Sequence, residues 1–397
     1  MLQRCAARSH WLLTSGKKVA TIKPSGFRKR YRERCRRRFS LKFFKYFKDR
    51  RGGSAVTIKD IAKACGVSVS TVSRVLNNRP DVSEAVRRQV MAVVDRQGYI
   101  PNNSARDLVR SQSDAVGVVV RGTGNIFFSD VLKTISREID AAGYTMVLRQ
   151  IGSDEDEVKA GAILEREKKL RGLVFLGGRF DYTPPELALV GVPYVCCSFT
   201  NCFGTLGDDD YASVSIDDFR TAYRAVEVLL QLGHRRVAAL VPSSEDRSIS
   251  QLRCRGYLAA LADNGVAFDP ELLAETGGCF EMEDAYRGMS ALLDSGADFT
   301  AVFVLSDTMA MAAMKALHDH GRRVPEDCSV IAIDGLSMSE YTVPTLTTMV
   351  QPAEEMGRES VGILMGMIRG ESGPRHLRLE AQLRRGGSVA RAPDRSV

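Results

Sequence analysis

The chain has 397 residues, of which 44% are hydrophobic and 26% charged, a composition typical of soluble globular proteins with two or three domains. No apolar run approaches the length that a membrane-spanning helix needs. The net charge of +8 is unevenly distributed, because residues 1–52 hold 18 basic and 2 acidic side chains whereas residues 111–397 hold 29 and 41. A basic head on an acidic body is the distribution expected when the head contacts a polyanion such as DNA.

Cysteine usage and short motifs narrow the class further. The nine cysteines are odd in number and lack CxxC spacing, which favours reduced thiols in a cytosolic protein. No P-loop, GxSxG or HExxH motif is present, and no nucleophile–base or metal-ligand constellation was found. The sequence therefore predicts no enzyme, no cofactor and no metal site.

Residues 1–54 form an Arg-rich, acid-poor extension in which phenylalanines alternate with lysines between positions 39 and 48. The segment lacks the long apolar region of a secretory signal. The favoured interpretation is a misassigned translation start, because the composition changes sharply at Gly52-Gly53. A phosphate-binding tail is the second interpretation, and a membrane-contacting or targeting segment is the third.

Residues 57–76 carry the pattern of two short helices joined by a tight turn. Thr57 is suited to cap the first helix, with Asp60 placed to favour its free N–H groups. Apolar residues recur at helical spacing in this helix: Ile58, Ile61, Ala62 and Cys65. Gly66 ends it, and Ser68 caps a second helix with Val72, Val75 and Leu76 as its buried face. The pattern predicts a helix-turn-helix whose second helix enters a DNA major groove.

The start of the second helix carries short or forked side chains outside the apolar stripe. They are Val69, Ser70, Ser73 and Arg74. Arginine can donate two parallel hydrogen bonds to guanine, and a small apolar side chain can contact a thymine methyl group. These residues therefore predict base readout. The alternative is that the serines only cap the helix and that Arg74 is a solvated charge.

A third helix is predicted after Ser83, with Gly98 as its end. Its apolar stripe would consist of Val86, Val90, Val93 and Val94. Pro101 prevents a simple continuation. Residues 103–110 are then predicted to form a short helix with too little apolar surface to fold alone.

Four segments of this part of the chain can be compared with known regulators. They are residues 56–62 (VTIKDIA), 66–68 (GVS), 71–77 (TVSRVLN) and 99–102 (YIPN). Together they closely resemble the lactose repressor/galactose repressor (LacI/GalR) family, and a looser similarity continues to near the C-terminus. The resemblance implies DNA contacts by Thr57, Ser68, Val69, Ser70, Thr71, Ser73, Arg74, Asn77, Tyr99, Asn102, Ala105 and Leu108. It also implies a hinge helix from which Leu108 enters the minor groove and kinks the DNA, an ordinary linker residue being the alternative.

From Ala115 onward, short apolar runs alternate with longer helical patterns. The predicted strands are Ala115–Val120, Tyr144–Leu148, Gly172–Leu176, Pro193–Cys197, Val237–Val241, Ala301–Leu305 and Ser329–Ile333. Several of the helical stretches end in glycine, at Gly143, Gly233, Gly265 and Gly321. This alternation predicts parallel sheets covered by helices, and so many strands indicate two lobes.

Residues at strand ends are the candidate ligand contacts, because folds of this kind bind ligands at the carboxyl ends of their strands. The family resemblance implies Asn125, Phe127, Ser198, Arg253, Asp307 and Gln351. Arginine offers only donors and an ionised aspartate only acceptors, so Arg253 and Asp307 could grip sugar hydroxyls or a purine edge. The alternative is that both are surface charges at helix starts. Ser198 and Ser306 stand where the family often has aspartate and asparagine, so no particular sugar is implied.

Together these patterns predict an all-α helix-turn-helix head joined by a hinge helix to a two-lobed α/β effector domain resembling periplasmic binding proteins. The predicted boundaries are residues 1–54 for the extension, 55–101 for the DNA-binding domain, 102–113 for the hinge and linker, and 114–397 for the effector-binding and dimerisation domain.

The function implied is that of a cytoplasmic, bacterial, homodimeric transcriptional regulator, a repressor by family default, that binds a pseudo-palindromic operator. A small molecule between the lobes, expected to be a sugar or sugar derivative, would control operator affinity. The alternatives are a regulator co-repressed by a purine or another metabolite, and a periplasmic-type sugar-binding protein. The helix-turn-helix argues against the last of these.

Overall fold

A computed structural model of the chain describes residues 57–76, 79–97, 113–122, 126–244, 247–277 and 280–393. These residues belong to two compact units that are described separately, a head within residues 57–97 and a body within residues 113–393. Among the described helices, none is long and apolar enough to cross a membrane.

The head consists of the helices α1 (Ile58–Cys65), α2 (Val69–Leu76) and α3 (Glu84–Gln97). The Thr57 hydroxyl accepts a hydrogen bond from the backbone N–H of Asp60, whose carboxylate accepts one from the backbone N–H of Thr57. This capping box satisfies two N–H groups at the start of α1. Gly66 ends α1 with a φ of 63°, a left-handed conformation that glycine adopts without a Cβ clash. The predicted start and end of the first helix are confirmed.

One small core holds the three helices together. Its buried side chains are Ile61, Ala62, Cys65, Val72, Val75, Val90 and Val94. All seven lie in the predicted apolar stripes, so the helical spacing inferred from the sequence is confirmed. The Gln89 side-chain amide also donates a hydrogen bond of 3.0 Å to the carbonyl of Cys65, which ties α3 to the end of α1.

The body is built on two six-stranded sheets. The first sheet contains β1 (Ala115–Arg121), β2 (Thr145–Ile151), β3 (Gly172–Leu176), β4 (Tyr194–Cys197), β5 (Ala212–Ile216) and, from the end of the chain, β11 (His376–Leu379). Its strand order is β11-β5-β4-β3-β1-β2, and every pair is parallel. Its helices are α4 (Phe127–Ala141), α5 (Glu157–Lys168), α6 (Pro184–Leu187) and α11 (Ala353–Arg369).

The second sheet contains β6 (Val237–Val241), β7 (Leu273–Glu275), β8 (Ala301–Val304), β9 (Ser329–Asp334), β10 (Thr347–Val350) and β12 (Gln382–Arg384). Its order, β12-β10-β9-β8-β6-β7, repeats that of the first sheet, with β12 antiparallel to β10. Its helices are α7 (Asp218–Gln231), α8 (Ile249–Asp263), α9 (Met282–Asp294) and α10 (Asp307–Asp319). The predicted two-lobed architecture is confirmed.

The chain passes between the two lobes three times within the described residues. It crosses from β5 to α7, from β10 to α11, and from β11 to β12. The first two crossings start at the carboxyl ends of their strands, at Asp217 and Gln351. The carboxyl edges of both sheets, where ligands bind in such folds, are therefore close to the connections between the lobes.

All seven predicted strands are confirmed, with ends that differ by at most three residues. The predicted glycine helix ends are also confirmed, because Gly143, Gly233, Gly265 and Gly321 all have a positive φ. The strands β5, β7, β10, β11 and β12 were not predicted. In β5, the hydroxyl of the buried Ser213 lies 2.8 Å from Nδ1 of His376 on the neighbouring strand, which satisfies it. The two residues are 163 positions apart, so no local pattern reveals the pairing.

Candidate functional site

The predicted DNA-contact residues of α2 lie on its exposed face. Val69 is 41% exposed and Ser70 and Arg74 are exposed, whereas Val72 and Val75 are buried in the core. The Arg74 guanidinium lies 3.7 Å from the carboxylate of Asp81, and both side chains are more than half exposed. Because an exposed ion pair contributes little free energy, this contact leaves Arg74 able to exchange Asp81 for another partner.

Three hydroxyl groups meet at the start of α2. The Ser68 hydroxyl lies 2.7 Å from that of Ser70 and 2.8 Å from that of Thr71, and it accepts a hydrogen bond from the backbone N–H of Thr71. The prediction that Ser68 caps α2 is confirmed. Capping does not remove these groups from the surface, since Ser68 and Ser70 are exposed and Thr71 is half-buried, as is Ser73.

Six of the predicted site residues lie outside the described residues: Asn77, Tyr99, Asn102, Ala105, Leu108 and Asn125. Their roles, including the proposed hinge helix and minor-groove wedge, stay predictions from the family resemblance. Thr57 is described and exposed, and its side chain is engaged in the capping box of α1.

The predicted effector residue Arg253 lies on α8 and is only 1% exposed. Its Nε donates a hydrogen bond of 2.8 Å to Oδ1 of Asp218, and its Nη1 donates one of 2.5 Å to the carbonyl of Leu305. The same Nη1 lies 3.7 Å from Oδ1 of Asp334. Arg253 is therefore not a surface charge, and the alternative raised from the sequence is wrong for this residue.

A glycine three residues later explains how Arg253 reaches Asp218. A Cβ atom on Gly256 would lie 2.3 Å from the carbonyl oxygen of Phe219 and 3.0 Å from the backbone nitrogen of Tyr223. A larger residue would therefore push α8 away from the start of α7. The close contact between the two helices places the guanidinium of Arg253 against the first residue of α7.

Asp334 and Gln351 form the other half of this site. Gln351 Nε2 donates a hydrogen bond of 2.8 Å to Oδ1 of Asp334, and both side chains are at most 4% exposed. The remaining oxygens, Asp334 Oδ2 and Gln351 Oε1, are buried and have no hydrogen-bond partner among the residues that the structure describes. Burial raises the pKa of Asp334 to about 8, although the nearby Arg253 opposes the shift. Two buried polar oxygens without a partner are costly unless a ligand forms hydrogen bonds with them.

The backbone at Asp334 is also unusual. Its φ of 136° lies in a region that L-residues rarely adopt, and the same sheet edge continues with Gly335 at a φ of 79°. In the first lobe, Ser198 directly follows β4, the matching strand, and has a φ of 56°. Strained residues of this kind cluster at ligand sites. The two carboxyl edges thus place one strained polar residue each at equivalent positions.

Asp307, the acid predicted to face Arg253, is satisfied by its own chain. Its Oδ2 accepts hydrogen bonds from the backbone N–H of Leu336 and the hydroxyl of Ser339, and its Oδ1 accepts one from the hydroxyl of Thr348. Asp307 is 0% exposed, so it is not the surface charge of the alternative interpretation either. Effector binding by Asp307 stays a prediction, and the acids that face Arg253 are Asp218 and Asp334.

Two of the predicted effector residues, Phe127 of α4 and Ser198, belong to the first lobe. Phe127 is 2% exposed and belongs to the main hydrophobic core, with its ring 6.2 Å from that of Phe128. Ser198 is 7% exposed, and its backbone N–H donates to the carbonyl of Val214. Their effector contacts stay predictions.

The start of α8 joins the two lobes. The backbone N–H of Phe180, just after β3, donates a hydrogen bond of 2.9 Å to the carbonyl of Arg247. Asp181 lies 3.8 Å from the Arg247 guanidinium, and Ile249 packs into a core cluster of the first lobe. Arg253 is four residues, about 6 Å, further along the same helix. The site around Arg253 therefore lies next to the junction of the lobes.

Comparisons with known proteins account for both units. A family model described as "Bacterial regulatory proteins, lacI family" matches residues 57–102, and one described as "Periplasmic binding protein-like domain" matches residues 226–389. The chain is 37% identical to the HTH-type transcriptional regulator MalR of Clostridium butyricum over 330 residues, which cover 83% of this chain and 97% of that protein. The chain belongs to the LacI family.

Solved structures of other LacI-family proteins match nearly the whole described length. A complex of the transcriptional regulator CelR with cellobiose has 30% identity and a TM-score of 0.62, covering 84% of this chain and 99% of that one. The lac repressor dimer bound to operator and the anti-inducer ONPF has 26% identity and a TM-score of 0.68, covering 85% and 100%. The chain accordingly combines a LacI-type helix-turn-helix head with a periplasmic-binding-protein-like body.

Two acids of this LacI-family body were missed in the sequence, Asp218 and Asp334. Asp334 directly follows the predicted strand Ser329–Ile333, so the criterion that selected Asp307 also applied to it. Asp218 begins a helix after β5, a strand that was itself not predicted. Without β5 there was no signal that Asp218 lies at the edge of a sheet.

Proposed function

We propose that this chain is a homodimeric bacterial transcriptional regulator that binds a pseudo-palindromic operator under the control of a small polyhydroxyl ligand held between the lobes. The observation that carries this proposal is the pairing of Arg253, a buried donor group, with the two unsatisfied acceptors on Asp334 and Gln351. Donors and acceptors side by side match adjacent hydroxyls of a sugar, each of which can donate and accept.

The head supplies the DNA-binding half of the proposal. The exposed face of α2 presents Val69, Ser70 and Arg74 beside the ordered hydroxyls of Ser68 and Thr71. In a helix-turn-helix, the N-terminal residues of the second helix contact base edges in the major groove. Two heads of a dimer then read two half-sites related by two-fold symmetry, as in the dimer of the lac repressor on its operator.

A sugar is the simplest ligand for the inter-lobe site, and the cellobiose complex of CelR is consistent with it. A purine or another metabolite that acts as a co-repressor is the alternative raised from the sequence. Coupling between ligand and operator must be reciprocal, so an inducer that weakens operator binding must itself bind more weakly to the DNA complex. We place this regulator in the bacterial cytoplasm, where its operator lies.

The test begins with selection of an operator from a random duplex DNA library by the full chain. Affinity for the selected DNA is then measured by fluorescence anisotropy with and without mono- and disaccharides, purine bases and nucleosides. We expect a two-fold symmetric operator and a change in its affinity with one of the sugars. A ligand at 100 times its Kd should also stabilise the protein by about 2.7 kcal/mol in thermal unfolding.

Matched variants separate the ligand site from the rest of the body. Gln351→Ala removes an acceptor at the site, whereas Gln251→Ala makes the same change at a half-buried position of α8. Loss of the sugar response in the first variant alone supports the proposal. A purine response with no sugar response would contradict the sugar assignment, and an unselective, asymmetric DNA preference would contradict the operator-binding function itself.

A further inference from the structure

The charges around Arg253 restrict which ligands the inter-lobe site can take. Two buried carboxyl groups face this one guanidinium: Asp218 at 2.8 Å and Asp334 at 3.7 Å. Asp218 is 4% exposed and Asp334 is 2% exposed, so solvent hardly screens either carboxyl group from Arg253. The positive charge that would attract a phosphate or carboxylate is therefore already balanced by Asp218, the closer of the two acids.

The other guanidinium groups near these acids also have acidic partners. Arg378 lies 3.5 Å from the carboxylate of Asp217, and Arg384 lies 2.7 Å from that of Glu340. Asp307 adds a further buried carboxyl group beside Arg384 and acts on Asp334 electrostatically. Even with Asp334 protonated, the four other acids named here outnumber the three arginines, which makes these surroundings unfavourable for another negative charge.

The helix N-termini at this edge of the sheet also disfavour an anionic ligand. The N-terminus of a helix ordinarily attracts phosphate through its free N–H groups and its dipole. Here α7 begins with the buried Asp218 and α10 begins with the buried Asp307, so each helix start already carries a carboxyl group. The start of α8 differs, because Ser248 caps it and its first turn holds no acid.

Resting on the proposed function, we propose that the effector is an uncharged polyhydroxyl compound, and that Asp218 is the residue that excludes phosphorylated and carboxylated ligands. Asp218 holds Nε of Arg253 and cancels its charge, which leaves Arg253 as a hydrogen-bond donor of fixed orientation. Asp334 Oδ2 and Gln351 Oε1 are the polar oxygens left for a ligand, and hydroxyl groups, which both donate and accept, satisfy them without bringing a charge into the buried site. A phosphate ester would place a dianion in buried surroundings of low dielectric constant, where Asp218 has already neutralised Arg253.

The first experiment compares sugars with their own phosphate esters on the full chain. Calorimetric titrations use glucose, maltose, cellobiose and ribose beside glucose 6-phosphate, maltose 1-phosphate, cellobiose 1-phosphate and ribose 5-phosphate at equal ionic strength. We expect each phosphate ester to bind at least about 100-fold more weakly than its neutral parent, as repulsion at contact distance requires. A phosphate ester that binds within about tenfold of its parent, or more tightly, would overturn the proposal.

Asp218→Asn tests the residue assigned to this exclusion. The amide keeps a hydrogen-bond acceptor for Arg253 but leaves its charge unbalanced, so the preference for the neutral sugar should narrow by about tenfold or more. Asp209→Asn is the matched control, because Asp209 is an exposed acid in the loop before β5 and should leave the preference unchanged. An unchanged preference in Asp218→Asn would remove Asp218 from ligand selection.

A ligand-independent measurement covers the case in which Asp218→Asn does not fold. Thermal unfolding of the wild-type chain is compared in inorganic phosphate and in chloride of the same ionic strength, at or below about 10 mM so that general salt effects stay small. Equal midpoints support the proposal, and stabilisation by phosphate would overturn it by revealing an anion site, with the start of α8 as its place. Operator affinity that responds to none of the sugars or esters would count against the proposed function, whereas the phosphate comparison still decides the charge of the site.

Discussion

The head and the inter-lobe site hold their recognition groups in opposite ways. In the head, Arg74 and Ser70 are exposed and only the apolar residues of the helices are buried. In the body, Arg253 and Asp334 are at most 2% exposed, and the charge of Arg253 is balanced by the buried Asp218. The first surface is suited to a large, highly charged partner that approaches from outside, and the second is suited to a small ligand that it would enclose.

In the head, the residues that stabilise the fold differ from those that would contact DNA. In the body, the same buried residues would serve both stability and ligand binding. An exposed side chain can change with little effect on the free energy of unfolding, so α2 can alter its base preference while its core stays intact. A buried charge cannot lose its partner without a large energetic penalty. We therefore expect variants of the body site to change folding and ligand binding together, and variants of α2 to change DNA binding alone.

Arg253→Ala should have the largest effect. It leaves Asp218 buried without its ion-pair partner, which should destabilise the body by about 3–5 kcal/mol and abolish the ligand response. Chemical denaturation and calorimetric titration measure the two effects. Arg255→Ala, two residues along the same helix at an exposed position, is the matched control and should change stability by less than about 1 kcal/mol. Equal stability of both variants would refute the coupling of folding and recognition.

Ile61→Ala tests the head, where the core and the DNA-contact surface consist of different residues. Ile61 is 0% exposed in the small core of the head, so its truncation should cost about 2–5 kcal/mol, a large part of the stability of a three-helix unit. Operator affinity should fall by about 100-fold or more, whereas ligand binding by the body should stay unchanged. Fluorescence anisotropy and calorimetry report the two activities. Retained operator affinity would mean that the head does not depend on this core.

Asp334→Asn should make the protein more stable and less responsive. The pKa of Asp334 is raised from 3.8 to about 8 by burial, so the folded protein holds a proton that the unfolded chain releases. Stability is therefore lost as the pH rises from about 4 to about 8, and the asparagine variant avoids a loss on the order of a few kcal/mol. Thermal unfolding between pH 5 and pH 8 should show a difference that grows with pH. A constant difference would mean that Asp334 is ionised throughout.

Arg74→Ala should have the smallest effect on the molecule as a whole. It should cost about 1–3 kcal/mol at the operator and relax the preference at one base pair, with no change in thermal stability. Arg88→Ala removes an exposed positive charge from α3 and is the control for a general electrostatic effect. Operator affinities at several salt concentrations and on single-base variants of the operator distinguish the two. An unchanged base preference would remove Arg74 from direct readout.

The head shows how far local sequence information reaches. The ends of α1, the capping residues Thr57 and Ser68 and the buried stripes could be predicted, because each depends on residues three or four positions apart. The sheets of the body were predicted where the strands are continuous apolar runs, as in Val237–Val241 and Gly172–Leu176. The strands β5, β10 and β11 were missed because their short, Ser-, Thr- or Arg-containing segments become strands only when a neighbour pairs with them.

The sequence by itself determined the class of the protein and the surface of α2, and it predicted Arg253 as a ligand contact. Only the tertiary structure decided which acid faces that arginine. Asp307 and Asp334 both follow buried strands, yet Asp307 is satisfied by Ser339 and Thr348 whereas Asp334 keeps an oxygen without a partner. Hydrogen bonds between residues 32 and 41 positions apart set that difference, and the approach of α8 to α7 at Gly256 brings Asp218 to the same guanidinium. Charge balance in a buried site depends on such distant contacts, which local spacing does not encode.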